Sequence, residues 1–165
     1  MSARIYFQDF MPENKCFGCG KENEKGFQIK SFWRTEEKEE AWCYWRPEAY
    51  HEGWSGVLNG GVIATLMDCH CMATAMAHAY HLEGRKLDSE PIYRYATGTL
   101  NVRYLKPTPS TLELLLKARV QEVKGIKTTL TCTVWAENLQ TVESEVIALR
   151  VYDSSQMKRE NLFTP

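Results

Sequence analysis

Formal charge is almost absent from one long stretch of this 165-residue sequence. The thirty residues between Glu52 and Glu83 carry a single formal charge, the carboxylate of Asp68. Burying a carboxylate in so apolar a segment costs several kcal/mol unless the group is paired or has a function. Asp68 is therefore the first candidate for a functional residue.

Other absences exclude whole classes of protein. The net charge is −1, with 20 Lys and Arg against 21 Asp and Glu, so the clustered positive charge of a nucleic-acid-binding protein is lacking. The N-terminus has no basic stretch followed by an apolar run, which predicts no secretory signal, reduced cysteines and a cytoplasmic protein. The uncharged stretch is long enough to cross a membrane, but Asp68, its three histidines and its initial glycines argue against a span.

The length is that of one domain with a substantial core. From Gly60 to about His81 the residues are mostly apolar, and no proline or further glycine follows Gly61, which predicts one long buried helix. Two strands are expected before it, near Phe27–Thr35 and Glu40–Arg46. The second half alternates with period two and predicts four strands separated by turns at 107–109, 124–125 and 138–140. The order β-β-α-β-β-β-β indicates an α+β fold in which an antiparallel sheet of about six strands wraps the helix.

Two segments carry a resemblance to a known family. The first is His51-Glu-Gly-Trp-Ser-Gly-Val-Leu-Asn59-Gly60-Gly61 with Asp68 following, and the second runs from Gly98 to Lys106-Pro107. Together they resemble the hotdog-fold acyl-CoA thioesterases of the phenylacetate-degradation (PaaI-like) type. The Cys16-Phe-Gly-Cys-Gly segment is also similar to that of many members.

The resemblance implies a hotdog thioesterase domain over residues 27–153, after an N-terminal segment (1–26) and before a C-terminal tail (154–165). It implies acyl-CoA as substrate, no cofactor, no metal, and neither nucleic acid nor membrane as partner. A homodimer, or a dimer of dimers, is expected because a single such sheet leaves a long edge strand exposed.

The start of the helix is expected to stabilise negative charge. If the helix begins at Asn59 or Gly60, the amides of Gly60 and Gly61 are among its unpaired N-terminal donors, and glycine lets a thioester approach closely. These amides are candidate oxyanion donors. The alternative is that the two glycines only pack the helix start against a strand.

Asp68 is the candidate base or nucleophile, and the sequence does not decide between the two roles. The alternative is a buried carboxylate paired with His70, His78 or an arginine from a strand. The family usually has histidine where this chain has Asn59, which can cap the helix and donate a hydrogen bond but cannot transfer a proton.

Further site residues follow from the resemblance. Thr97 corresponds to a hydroxyl that orients the acid or the attacking water, although it is also an ordinary strand residue. His51 and Trp54 are expected at the mouth of the acyl pocket. The cations expected to bind the coenzyme A phosphates are Arg103, Lys106, Lys124 and Lys127.

The Cys16-x-x-Cys19 pair is interpreted as a tight turn, because a structural zinc site needs four ligands and the sequence has no second closely spaced pair. Two functions are consistent with the sequence as a whole. One is an acyl-CoA thioesterase, and the other is a non-catalytic hotdog module that binds acyl-CoA or a protein.

Overall fold

The predicted long helix is present in the computed structural model, which describes residues 4–156. Helix α1 spans Gly60–Leu82, and twelve of its side chains are buried, on all sides of the helix. Because its apolar residues do not form a single stripe, α1 has to be enclosed rather than laid on a surface. Within the described residues, no helix has the length and apolarity needed to cross a membrane.

Six antiparallel strands form one sheet that packs against one side of this helix. They are β1 (Phe32–Trp33), β2 (Ala41–Trp45), β5 (Tyr93–Tyr104), β6 (Leu114–Lys124), β7 (Lys127–Ala136) and β8 (Leu139–Asp153), in the spatial order β1-β2-β6-β7-β8-β5. The alternating residues of β7 point inward onto α1, among them Leu130, Cys132 and Val134. The predicted α+β hotdog architecture is confirmed.

The structure differs from the sequence prediction in the lengths of some strands. The first strand has only two residues instead of the predicted nine. The residues from Phe27 onward that precede it donate their backbone hydrogen bonds to the N-terminal turn instead of to a neighbouring strand. Strand β5 begins at Tyr93, four residues before the predicted strand residue Thr97. The loop before the helix contains a small hairpin of β3 (Glu52–Trp54) and β4 (Val57–Leu58).

The N-terminal segment packs directly against α1. Phe7 is buried, and the buried amide of Gln8 accepts a hydrogen bond from the Ser31 N–H (2.7 Å) and donates one to the Ser31 hydroxyl (2.9 Å). That hydroxyl also bonds Nδ1 of His70 (2.8 Å). The boundary predicted after residue 26 stays a prediction, and the predicted tail lies mostly outside the described residues.

Candidate active site

The helix begins where predicted, and Asn59 is its cap. The Asn59 side-chain oxygen accepts hydrogen bonds from the N–H groups of Gly61 (2.8 Å) and Val62 (3.3 Å). The Gly61 amide is therefore already paired, contrary to the prediction that both glycine amides are available donors. The Gly60 N–H has no acceptor among the described residues and remains available at the positive end of the helix.

The strand after the helix closes over Gly60. The Tyr104 hydroxyl donates to the Gly60 carbonyl (2.7 Å), and a Cβ added at Gly60 would lie 3.3 Å from the same hydroxyl oxygen. Gly60, Tyr104 and Lys106 line a cavity of about 330 Å³. Tyr104 was not identified from the sequence, because nothing in a strand pattern indicates which tyrosine reaches a backbone carbonyl.

Asp68 lies about two turns further along α1, half-buried, and forms no ion pair among the described residues. The Thr97 hydroxyl donates a short hydrogen bond to its carboxylate. Burial raises the pKa of Asp68 above its ordinary value, and the bond from Thr97 partly opposes this shift. The proposed pairing with His70 does not occur, because that ring is bonded to Ser31 and to the Ala41 carbonyl (3.2 Å).

A β-bulge in β5 sets the position of the Thr97 side chain. The register of β5 against β8 shifts between Thr97 and Thr99, so that Gly98 is an extra residue in the strand. A β-bulge of this kind re-aims the neighbouring side chain. The bond from Thr97 to Asp68 is made within one chain.

The cavity beside Asp68 has a volume of about 460 Å³ and a mostly apolar lining. Met72, Met76 and Tyr95 contribute from α1 and β5, and the N-terminal segment forms the opposite wall from Phe10 to Cys16. Gly60 does not line this cavity, and Asp68 does not line the cavity at Gly60. Gly60 and Asp68 are eight residues apart along the helix, which corresponds to a rise of about 12 Å. This distance is larger than a single thioester group.

Three cysteines meet at the edge of the Asp68 cavity. The sulfurs of Cys16, Cys19 and Cys69 all lie within 4.8 Å of one another, with 3.7 Å between those of Cys16 and Cys69. Hydrogen bonds from the Cys19 and Cys69 thiols lower the pKa of the Cys16 thiol, and the same contacts raise the pKa values of the other two. The turn prediction missed this cluster because its third sulfur comes from α1, 50 residues after Cys19.

The loop residues predicted at the pocket mouth have two different environments. His51 is buried among the rings of Phe27 and Trp45, and its Nδ1 accepts from the Glu48 N–H (2.9 Å), which makes it a structural residue of the loop. Trp54 is 83% exposed.

The predicted phosphate-binding cations also differ in their surroundings. Arg103 pairs with Glu143 (2.7 Å) and Lys124 with Glu122 (2.8 Å), while Lys127 is exposed at the start of β7. Lys106 has no acidic partner among the described residues and lines the same cavity as Gly60. It is therefore the cation best placed to meet an anionic ligand at the helix start.

Comparison with known proteins defines the class to which this fold and this site belong. The family model described as thioesterase superfamily matches residues 55–143, or 89 of the 165 residues. The matched region includes the helix start, Asp68 and Thr97. The chain belongs to the thioesterase superfamily. The phenylacetate-degradation subtype stays a prediction.

Among curated proteins, the chain is similar to acyl-coenzyme A thioesterase THEM4 of Rattus norvegicus, with 27% identity over 149 residues, 90% of this chain and 58% of the relative. THEM4 of Xenopus laevis is 27% identical over 124 residues, 75% of this chain and 50% of the relative. The chain thus spans between half and three fifths of the length of these two relatives.

Among solved structures, a thioesterase superfamily protein from Shewanella loihica PV-4 aligns with a TM-score of 0.61 and 28% identity, over 75% of this chain and 91% of that one. A protein from Streptococcus mutans UA159, solved with bound acetyl-CoA, aligns with a TM-score of 0.57 and 14% identity, over 70% of this chain and 83% of that one. The second likeness concerns the fold alone.

Proposed function

We propose that this protein hydrolyses an acyl-CoA thioester to a free acid and coenzyme A, with Asp68 as the group that attacks or activates water. The observation that carries the proposal is a carboxylate that has no cationic partner in the described part of the chain, is oriented by the Thr97 hydroxyl and faces a largely apolar cavity. An isolated carboxylate in such surroundings costs free energy that a purely structural role would not require.

The acyl chain would occupy the cavity lined by Met72, Met76 and Tyr95. The thioester carbonyl would accept a hydrogen bond from the unpaired Gly60 N–H, where the helix dipole favours the negative charge that develops on its oxygen. Lys106, which lines the same cavity as Gly60, would bind a phosphate of coenzyme A. Asp68 would either take a proton from the attacking water or attack the thioester carbon itself.

Assembling these groups around one thioester requires two chains. Gly60 and Asp68 of one chain line separate cavities, and β5 is a 12-residue strand at the edge of the sheet. Unpaired edges of this length favour pairing with a second strand. We therefore propose a homodimer joined along β5, in which the helix start of one subunit serves the Asp68 of the other.

A reducing, cytoplasmic location remains part of the proposal, because three clustered thiols persist only where disulfides do not form readily.

The decisive experiment is turnover of a panel of short, long and aromatic acyl-CoAs, followed by chromatography of the released coenzyme A. On the best substrate, Asp68→Asn should lower kcat by about 10²- to 10⁴-fold, the usual contribution of a positioned base. Its melting temperature should hold or rise, because the neutral amide relieves the burial of charge and can still accept from Thr97.

Wild-type turnover in Asp68→Asn would overturn the mechanism. Tight acyl-CoA binding without turnover across the panel would instead establish the non-catalytic module.

A further inference from the structure

We propose that Cys16, Cys19 and Cys69 bind one Zn²⁺ ion at the edge of the Asp68 cavity, with the fourth coordination position open to that cavity. No metal was expected from the sequence, because a structural zinc site needs four ligands and the chain has only one closely spaced cysteine pair. The fold instead supplies a third sulfur from α1, and three protein ligands with an open position form a recognised zinc arrangement.

The sulfur spacing fits a shared ion. A Zn–S bond of about 2.3 Å in tetrahedral geometry separates two sulfurs by about 3.8 Å, and the Cys16 and Cys69 sulfurs are 3.7 Å apart. The third sulfur lies within 4.8 Å of both. Small movements of the Cys19 side chain would complete the triangle.

The surroundings of the sulfurs also suit thiolate ligands. The Gly18 N–H donates to the Cys16 sulfur (3.4 Å), and the Asn14 side-chain amide donates to the Cys19 sulfur (3.5 Å). Donors of this kind orient metal ligands and stabilise their negative charge.

Close packing holds the turn against the third ligand. A Cβ at Gly18 would lie only 2.4 Å from the Cys69 sulfur, so glycine is what allows the turn to approach the helix this closely. The two parts of the cluster, 50 residues apart in sequence, are thus held in contact by the fold.

The open position has a defined direction. Cys16 is exposed, whereas Cys19 and Cys69 are buried, and all three line the cavity that contains Asp68 and Thr97. A fourth ligand would therefore come from the cavity, as a water molecule or as a donor atom of a bound molecule.

The test is a titration of the full chain, purified with a phosphine reductant and stripped of metal by a chelator. Cd²⁺ replaces Zn²⁺ in thiolate sites and gives a charge-transfer absorption that reports sulfur ligation. We expect one Cd²⁺ per chain, competing with Zn²⁺ for the same site, and about three sulfurs near 2.3 Å in the X-ray absorption spectrum of the zinc form.

Cys16→Ser is the key variant because the side chain is exposed and its loss should not disturb folding. It should weaken Zn²⁺ binding more than about 100-fold, since even loss of an outer partner of a metal ligand typically costs 10- to 100-fold. Cys43→Ala, at a buried cysteine of β2 outside the cluster, is the control, because it removes a thiol without adding a buried hydroxyl, and it should bind as wild type does.

Equal affinity in Cys16→Ser and wild type would overturn the proposal, as would the absence of sulfur ligation in the reduced wild-type chain. Because the readout is metal binding rather than hydrolysis, an inactive enzyme would leave this result unaffected.

Discussion

The Thr97 hydroxyl is the group that fixes the orientation of Asp68, which has no charged partner between residues 4 and 156. A hydrogen bond to a charged group is worth about 1.5 to 3 kcal/mol. The pair therefore offers a test of whether the orientation of the carboxylate matters for chemistry.

Thr97→Val, which keeps the shape and removes the hydroxyl, should lower kcat by about ten- to a hundredfold with little change in KM. Steady-state kinetics on the best acyl-CoA measures both constants. Thr97→Ser retains the hydroxyl and should stay close to wild type. Wild-type kcat in Thr97→Val, with the loss appearing in Thr97→Ser instead, would mean that the methyl group, and not the hydrogen bond, is required.

Asn59 has a structural role that the family comparison alone did not indicate. Because its side-chain oxygen accepts from two amides, Asn59→Ala should lower the free energy of unfolding by about 0.5 to 2 kcal/mol. Asn59→Asp keeps an accepting oxygen and should retain wild-type stability. Chemical denaturation of the three proteins decides the matter, and an unchanged Asn59→Ala would show that the cap contributes nothing.

At the scale of elements, the contact between the N-terminal turn and α1 depends on a single missing side chain. Gly18→Ala forces a methyl group against the Cys69 sulfur and should destabilise the protein by about 1 to 3 kcal/mol, as overpacking usually does. Gly53→Ala is the milder comparison, because there the nearest atom, the Asn59 Cα, would lie at 3.3 Å rather than 2.4 Å. Thermal melts of the two variants should separate clearly, and a Gly18→Ala protein as stable as wild type would contradict the close contact.

The elements themselves were predicted unequally well. Helix α1 and its start at Gly60 followed from the long uncharged run without glycine after Gly61, because nothing in that run favours ending a helix. The early start of β5 did not follow, since its first residues are half-buried at a sheet edge and do not alternate clearly. The bulge at Gly98 depends on pairing with β8, a partner that lies some 50 residues away in sequence.

At the scale of the whole molecule, the proposed shared site can be tested by mixing inactive chains. Dimers that combine an Asp68→Asn chain with a Gly60→Val chain contain one site with both defects and one intact site. They should recover about half of wild-type activity. Co-expression with two different tags isolates the mixed dimers for assay.

Dimers that combine Asp68→Asn with Thr97→Val are the matched control. Both residues belong to one subunit's cavity, so every site keeps one defect and no recovery above the Thr97→Val parent is expected. Failure of the Gly60→Val mixture to recover, with mixed dimers confirmed by mass, would rule out the shared site.

The sequence by itself determined the architecture and the position of the acid. Periodicity and the absence of charge are local properties of the chain, and they were sufficient to predict one buried helix, an antiparallel sheet and an isolated Asp68 within the helix. Family resemblance added Thr97, whose contact with Asp68 is present in the structure.

Only the tertiary structure decided which of the candidate residues meet. It paired the Gly61 amide with Asn59, buried His51 among aromatic rings, separated Gly60 from Asp68, and brought Cys69 to the Cys16–Cys19 turn. These outcomes depend on side chains from distant parts of the sequence competing for the same donors and the same space. Such competition leaves no periodic signal in the chain, because it exists only once the helix and the sheet have packed together.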